Sequence, residues 1–209
     1  MCVIACSPSG VRQPSTYDLV QMWRANPHGA GYMYASGGKV YIHKGFMLLQ
    51  DFLHAVQMEH FTRADAVVYH FRIATQAGIC SEMTHPFPLS SSLEMHKALD
   101  LCCSVGIAHN GIIPLTSDRN EKEFSDTSLF IARYITKLIR SRSDFNNPDV
   151  KKMVSALAGP SRFAMLDGSG QIQTIGSFVT EKGIMYSNMN HRREIIFPAV
   201  KNYAARSAV

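Results

Sequence analysis

Predicted strands cluster toward both ends of the chain, and predicted helices are grouped mainly between them. The segment 66–74 alternates apolar positions with a period of two, as a strand does, whereas 127–140 places its apolar residues on one helical face. Gly37-Gly38 separates two short apolar runs and is a hairpin signal. The remaining predicted strands are 2–6, 32–35, 39–43, 104–108, 161–166, 171–175 and 184–187. The remaining helices are one that follows Ser15 and ends before Pro27, and those at 48–58 and 149–158. This order favours an α+β fold with helices layered on antiparallel sheets over a βαβ nucleotide fold.

Composition narrows the class of protein without naming an activity. The 209 residues suit one domain, and the 46% hydrophobic residues are ordinary for a chain that buries a core. No apolar run approaches the roughly 18 residues of a membrane helix, and no secretory signal is visible, so we expect a cytoplasmic protein without a membrane partner. The five cysteines fit no disulfide framework. The net charge of +5 comes from scattered residues, which makes a nucleic-acid partner unlikely.

Cys2 is the first candidate for chemistry. Initiator methionine is usually trimmed before a small residue, and the product would carry a thiol and a free α-amine on one carbon. Because such an amine has an unperturbed pKa of about 7.7–8.0, it can serve as a general base beside the nucleophile. A cysteine at position 2 also arises by chance in many proteins, so this residue alone is weak support for catalysis.

Three further positions have both a functional and an ordinary structural interpretation. Arg72 lies on a strand that is otherwise apolar on one face, where it would bind a carboxylate or pair with a structural Asp. Asn110-Gly111 follows a strand and would supply oxyanion donors or form a simple turn. Asp126 would hold a substrate ammonium or, like Ser125, cap the long helix.

The order of these motifs resembles the class II glutamine amidotransferase domain of the N-terminal-nucleophile hydrolases. The likeness covers roughly residues 1 to 190, and each motif gains weight from its order along the chain. The matching runs are Met1-Cys2, Asn26-Pro27-His28-Gly29-Ala30-Gly31-Tyr32, His70-Phe71-Arg72-Ile73-Ala74-Thr75, Thr84-His85-Pro86-Phe87, Ala108-His109-Asn110-Gly111-Ile112-Ile113 and Ser125-Asp126-Thr127. The later run from Gly176-Ser177-Phe178 to Met185-Tyr186-Ser187-Asn188-Met189-Asn190 is similar to the closing hairpin of the compact, stand-alone members.

The resemblance implies a fold and a set of roles. The fold would be a four-layer αββα sandwich, with two antiparallel sheets between helical layers. Cys2 would attack the side-chain amide of glutamine, and Asn110 with the Gly111 amide would stabilise the oxyanion. Arg72 would bind the α-carboxylate, and Asp126 the α-ammonium. Four further residues would line the pocket: Thr75, His85, Pro86 and Phe87.

The fate of the ammonia stays open at this point. The glutaminase domain would occupy residues 1–198, with a peripheral tail at 199–209, and no cofactor or metal is expected. One possibility is a subunit that delivers ammonia to a separate synthase. A second is a stand-alone hydrolase acting on a larger γ-glutamyl amide. A third is a catalytically idle binding module of the same fold, although that alternative normally implies loss of one of the matched residues.

Overall fold

The computed structural model describes residues 1–74, 78–114 and 123–192. The strands are β1 (Val3–Ser7), β2 (Ala30–Ser36), β3 (Lys39–Phe46), β4 (Val67–Phe71), β5 (Phe87–Pro88), β6 (Asp100–Cys103), β7 (Val105–Asn110), β8 (Arg162–Asp167), β9 (Ile172–Ile175), β10 (Val179–Glu181) and β11 (Ile184–Tyr186). The helices are α1 (Thr16–Ala25), α2 (Leu49–Met58), α3 (Leu93–Lys97), α4 (Asp126–Phe130), α5 (Thr136–Leu138), α6 (Arg142–Asn146) and α7 (Pro148–Ala158). A π-helical segment, Ile131–Ile135, joins α4 to α5.

Two antiparallel sheets form the centre of an α+β fold, which confirms the class predicted from the sequence. The larger sheet has the order β10-β11-β1-β4-β2-β3-β6, and the smaller one has the order β5-β7-β8-β9. In the larger sheet Val3 lies opposite Phe71, so the start of β1 meets the end of β4. Ala5 lies opposite Tyr186, which brings the end of β11 to the same edge.

Buried side chains form three separate clusters, and each cluster joins two parts of the fold. One cluster joins α1 and α2 to the larger sheet and includes Trp23, Phe52 and Tyr69. A second joins the two sheets. A third joins the smaller sheet to the helices after residue 125 and includes Phe130 and Phe163. Because β4 carries apolar residues on both faces, all five of its residues are buried.

Local sequence signals predicted the ends of several helices correctly. Ser15 caps α1 in a capping box with Asp18, and Gly159 ends α7, as the sequence indicated. Ser125 rather than Asp126 is the N-cap of α4, because its hydroxyl accepts the Ser128 N–H. Five of these elements were absent from the prediction, namely α3, α6, β5, β6 and β10.

Two further expectations concern the domain boundary and membrane-spanning helices. The boundary predicted at 198/199 lies outside the described residues. Within the described ranges, no helix combines the length and the apolar character that crossing a membrane requires. The five cysteines are free thiols.

Candidate active site

Cys2 is the residue before β1, at the end of the larger sheet where β1, β4 and β11 lie side by side. Its Sγ accepts a hydrogen bond from the Ile73 N–H at 3.4 Å and lies 3.6 Å from the Ile73 carbonyl. Burial raises the pKa of the Cys2 thiol, while the Ile73 hydrogen bond and the Arg72 charge oppose that rise. The thiol therefore needs a base to become a nucleophile at neutral pH. In the structure the Cys2 nitrogen is bonded to Met1, whose side chain is 61% exposed.

Arg72 lies beside Cys2 and is only 5% exposed. Its Nη2 donates to the Gly78 carbonyl at 3.1 Å, and its buried Nη1 has no hydrogen-bond partner among the described residues. Burial lowers the pKa of Arg72, and the side chains of Cys2, Cys80 and Asp126 partly oppose this lowering. Among the described residues no carboxylate forms a salt bridge with Arg72, so the ordinary Arg–Asp pair is not observed there. A buried guanidinium with a free N–H is suited to binding an anion.

Asp126 faces the same cavity from the first turn of α4. Its Oδ2 accepts the Ile113 N–H at 2.8 Å, and its Oδ1 accepts the Thr127 N–H at 2.7 Å. The Thr127 hydroxyl lies 2.7 Å from His109 Nδ1 and 3.3 Å from Asp126 Oδ1. These contacts fix the carboxylate in position while it remains half-buried. A fixed anion at this place complements the cation supplied by Arg72.

Asn110 and Gly111 end β7 near the start of β1. Gly111 lines the cavity, and a Cβ at this position would lie 2.5 Å from Ser161 Oγ and 3.0 Å from Ser161 Cα. Glycine is therefore required by the close approach of β8. Asn110 is fully buried and does not line the cavity. Its Nδ2 donates to Ser187 Oγ at 2.9 Å, and its Oδ1 has no partner in the ranges that the structure describes.

The four predicted pocket residues lie in different places. His85 lines the cavity, and its peptide bond to Pro86 is cis. Phe87 instead belongs to the core between the smaller sheet and its helices, where its ring lies under Lys44 Nζ. Pro86 is buried and also does not line the cavity. Thr75 lies outside the described residues.

The cavity at Cys2 measures about 50 Å³. It is small beside the roughly 300–1,000 Å³ of sites that accept drug-sized ligands. Its lining residues are Cys2, Arg72, Ile73, Ala74, Met83, His85, His109, Gly111, Ser125, Asp126 and Thr127. A larger cavity of about 700 Å³ lies at the other end of β7, lined by Ser104, Arg142 and Asp167 among others. No cysteine is among the described residues that line that cavity.

Three histidines are buried beside the cavity. The rings of His70 and His85 have centroids 4.3 Å apart, and those of His85 and His109 are 6.2 Å apart. Burial lowers the pKa of His70 to about 3 and that of His109 to about 4, and it also lowers the pKa of His85. All three are therefore neutral at pH 7. Across the described residues, no group of three or more His, Cys, Asp or Glu side chains is arranged to hold a metal ion.

Several residues at the site had no role in the sequence prediction. Ile73 holds the thiol through its backbone, and Thr127 links His109 to Asp126. Asn188 donates to the Cys2 carbonyl at 2.7 Å. The resemblance includes the runs that contain these residues, but their contacts depend on residues distant in sequence.

Comparison with known proteins adds no further constraint. A scan against protein-family models gives no match. A search of curated proteins finds no significantly similar sequence.

Proposed function

We propose that the chain is a glutaminase of the class II glutamine amidotransferase type. The arrangement of its three buried clusters would correspond to a four-layer αββα sandwich, with α1 and α2 on one side and the later helices on the other. The observation that carries the proposal is the buried Nη1 of Arg72, which has no partner within the described part of the chain and lies in the same cavity as Cys2 and Asp126. One nucleophile, one fixed cation and one fixed anion match the three functional parts of glutamine.

Removal of Met1 starts the reaction sequence in this proposal. The freed α-amine of Cys2 accepts the thiol proton, and the thiolate sulfur attacks the side-chain amide carbon of glutamine. The resulting tetrahedral intermediate carries an oxyanion, which the Gly111 N–H and the Asn110 amide stabilise. The α-ammonium then passes its proton to the leaving nitrogen, so that the C–N bond breaks and ammonia departs. A γ-glutamyl thioester remains on Cys2.

Hydrolysis of the thioester completes the cycle. The α-amine, again neutral, accepts a proton from water, and the hydroxide oxygen attacks the thioester carbon. The C–S bond breaks, glutamate leaves, and the thiol is restored. Arg72 binds the α-carboxylate through the buried Nη1 that no described residue contacts by a hydrogen bond, and Asp126 binds the α-ammonium. The ammonia is released as such or passes to a separate synthase, and no cofactor takes part.

Mass spectrometry combined with a glutaminase assay tests the proposal. Protein lacking Met1 should hydrolyse glutamine and should gain one adduct at Cys2 from a glutamine-like diazoketone. Cys2→Ser should remain folded and lose both properties. Cys102→Ser, a matched change at an exposed thiol, should keep both. Full activity in Cys2→Ser would exclude this mechanism. Labelling of Cys2 without release of ammonia from glutamine would favour a different γ-glutamyl amide as the substrate.

A further inference from the structure

Ser187 connects the nucleophile strand to the Asn110 amide. It follows β11 directly and is 2% exposed. Its N–H donates to the Ile4 carbonyl at 3.0 Å, and its hydroxyl oxygen accepts the Ile4 N–H at 2.9 Å. The same oxygen accepts from Asn110 Nδ2 at 2.9 Å. Ser187 is therefore held rigidly by β1 while it contacts the amide at the end of β7.

Two hydrogen-bonding groups at this contact are unpaired among the described residues. A serine hydroxyl has one proton and two lone pairs, and both lone pairs of Ser187 are used here. Its own proton has no acceptor among the described residues. Asn110 Oδ1 is buried and has no donor. An unpaired donor and an unpaired acceptor thus lie on neighbouring buried groups, an uncommon arrangement in folded proteins.

Rotation of the Asn110 amide by half a turn pairs these two groups. Oδ1 and the NH₂ group exchange places, and the planar amide keeps its shape. The Ser187 O–H then donates to Oδ1, while both amide N–H groups point to the side that Oδ1 now occupies. An oxyanion accepts hydrogen bonds, so only the rotated amide can stabilise one.

We infer that Ser187 is a positioning residue whose hydroxyl donates to Asn110 Oδ1 and thereby directs the amide NH₂ toward the oxyanion. This inference rests on the proposed function, since it names the residue that orients one of its oxyanion donors. Asn188 supports the same geometry, because its side chain holds the Cys2 carbonyl. The two residues after β11 thus position the nucleophile backbone and the oxyanion donor together.

The effect of Ser187→Ala should appear mainly in kcat. Loss of one oxyanion donor costs about 10²–10³ in kcat, and an amide that is present but no longer oriented should cost part of that, about 10- to 100-fold. The KM for glutamine should change little, because Arg72 and Asp126 are unaffected. The variant also removes the acceptor of the buried Ile4 N–H, so its Tm should fall as well. A purely structural residue would produce that fall in Tm alone.

A double-mutant cycle with Asn110→Ala separates positioning from structure. Ser187→Ala should lower kcat in the otherwise unchanged enzyme and cause no further fall in the Asn110→Ala background, while Tm falls in both. Ser187→Thr, which keeps the hydroxyl, should restore most of kcat. Ser7→Ala, a matched change at the buried serine that ends β1, should leave kcat unchanged. Equal falls in kcat in both backgrounds would overturn the inference.

A measurement without substrate separates this inference from the proposed function. Absence of glutaminase activity in the Met1-free enzyme would refute the proposed function alone. In the same protein, the nuclear Overhauser effect between the Asn110 side-chain amide protons and the Ser187 β-protons should be weak, because Oδ1 faces the serine. A strong effect would show that the NH₂ group faces Ser187 and would overturn the inference whether or not the enzyme hydrolyses glutamine.

Discussion

Substitution of Arg72 by lysine tests how the cavity recognises a substrate. In the structure Nη2 donates to the Gly78 carbonyl, and the buried Nη1 has no hydrogen-bond partner among the residues described. Lysine has a single ammonium group in place of this planar fork, so it cannot hold the loop carbonyl and clamp a carboxylate in the same way. We therefore expect weaker binding of glutamine, with the nucleophile and the oxyanion donors intact.

The size of the effect follows from the bond that is lost. A hydrogen bond to a charged group contributes about 1.5–3 kcal/mol, and each 1.36 kcal/mol corresponds to a factor of ten, so KM should rise about 10- to 150-fold. The value should lie toward the upper end, because Arg72 is 5% exposed and water screens the interaction little. The corresponding change at exposed Arg142, near the larger cavity, should leave KM unchanged.

The assay compares glutamine with 4-aminobutanamide, which lacks the α-carboxylate. The unchanged enzyme should have a higher kcat/KM for glutamine than for 4-aminobutanamide. Arg72→Lys should remove most of this difference, because it should lower kcat/KM for glutamine alone. Steady-state release of ammonia, measured on protein that lacks Met1, gives both values. An unchanged preference, or a fall confined to kcat for both amides, would show that Arg72 does not bind the carboxylate.

Three other predictions concern the same cavity. Asp126→Asn should reduce the preference for glutamine over its analogue without the α-amine, and an unchanged ratio in the ammonia assay would exclude an ammonium site. Gly111→Ala should lower kcat by at least about 10²-fold, since the new Cβ meets Ser161, and normal turnover would contradict the oxyanion role. Because burial depresses the pKa of His70 to about 3 and of His109 to about 4, the unfolded chain binds more protons below pH 6.5. The free energy of unfolding should therefore fall from pH 6.5 toward 4, by about 1.4 kcal/mol per pH unit and histidine, in denaturant titrations, and a flat profile would contradict it.

Elements with local signals were predictable from the sequence, and elements defined by distant partners were not. The capping box at Ser15 and the glycine after Ala158 act within one turn of the helix, so α1 and α7 were expected. The edge strand β6 is different, because its only ladder is with β3, from Val40–Cys103 to His43–Asp100. Its alternation of exposed and half-buried residues is weak, so nothing nearby in the sequence indicates a strand.

The candidate site likewise combines residues that the sequence predicted with contacts that depend on distant residues. The charge logic of a zwitterionic substrate selected Arg72 and Asp126, and both line the cavity with Cys2. The orientation of the Asn110 amide could not be predicted, because its partner Ser187 lies 77 residues further along the chain. The resemblance placed Phe87 in the pocket with His85, but Phe87 is the first residue of β5 and packs in the core of the smaller sheet, in contacts with residues distant in sequence.

The exposure of Met1 implies that maturation is separable from folding. Cys2 is held by the Ile73 N–H and by Asn188, whereas the Met1 side chain is 61% exposed. Removal of Met1 should therefore change the free energy of unfolding by no more than about 0.5 kcal/mol, as for other surface changes. Both forms can be released from a cleavable fusion and compared in denaturant and in the ammonia assay. Equal stability with activity only in the form that begins at Cys2 is the expected result, because only that form has a free α-amine. Equal activity in both forms would mean that another group activates the thiol, and the neutral imidazoles of His85 and His109, which line the same cavity, would be the first to substitute.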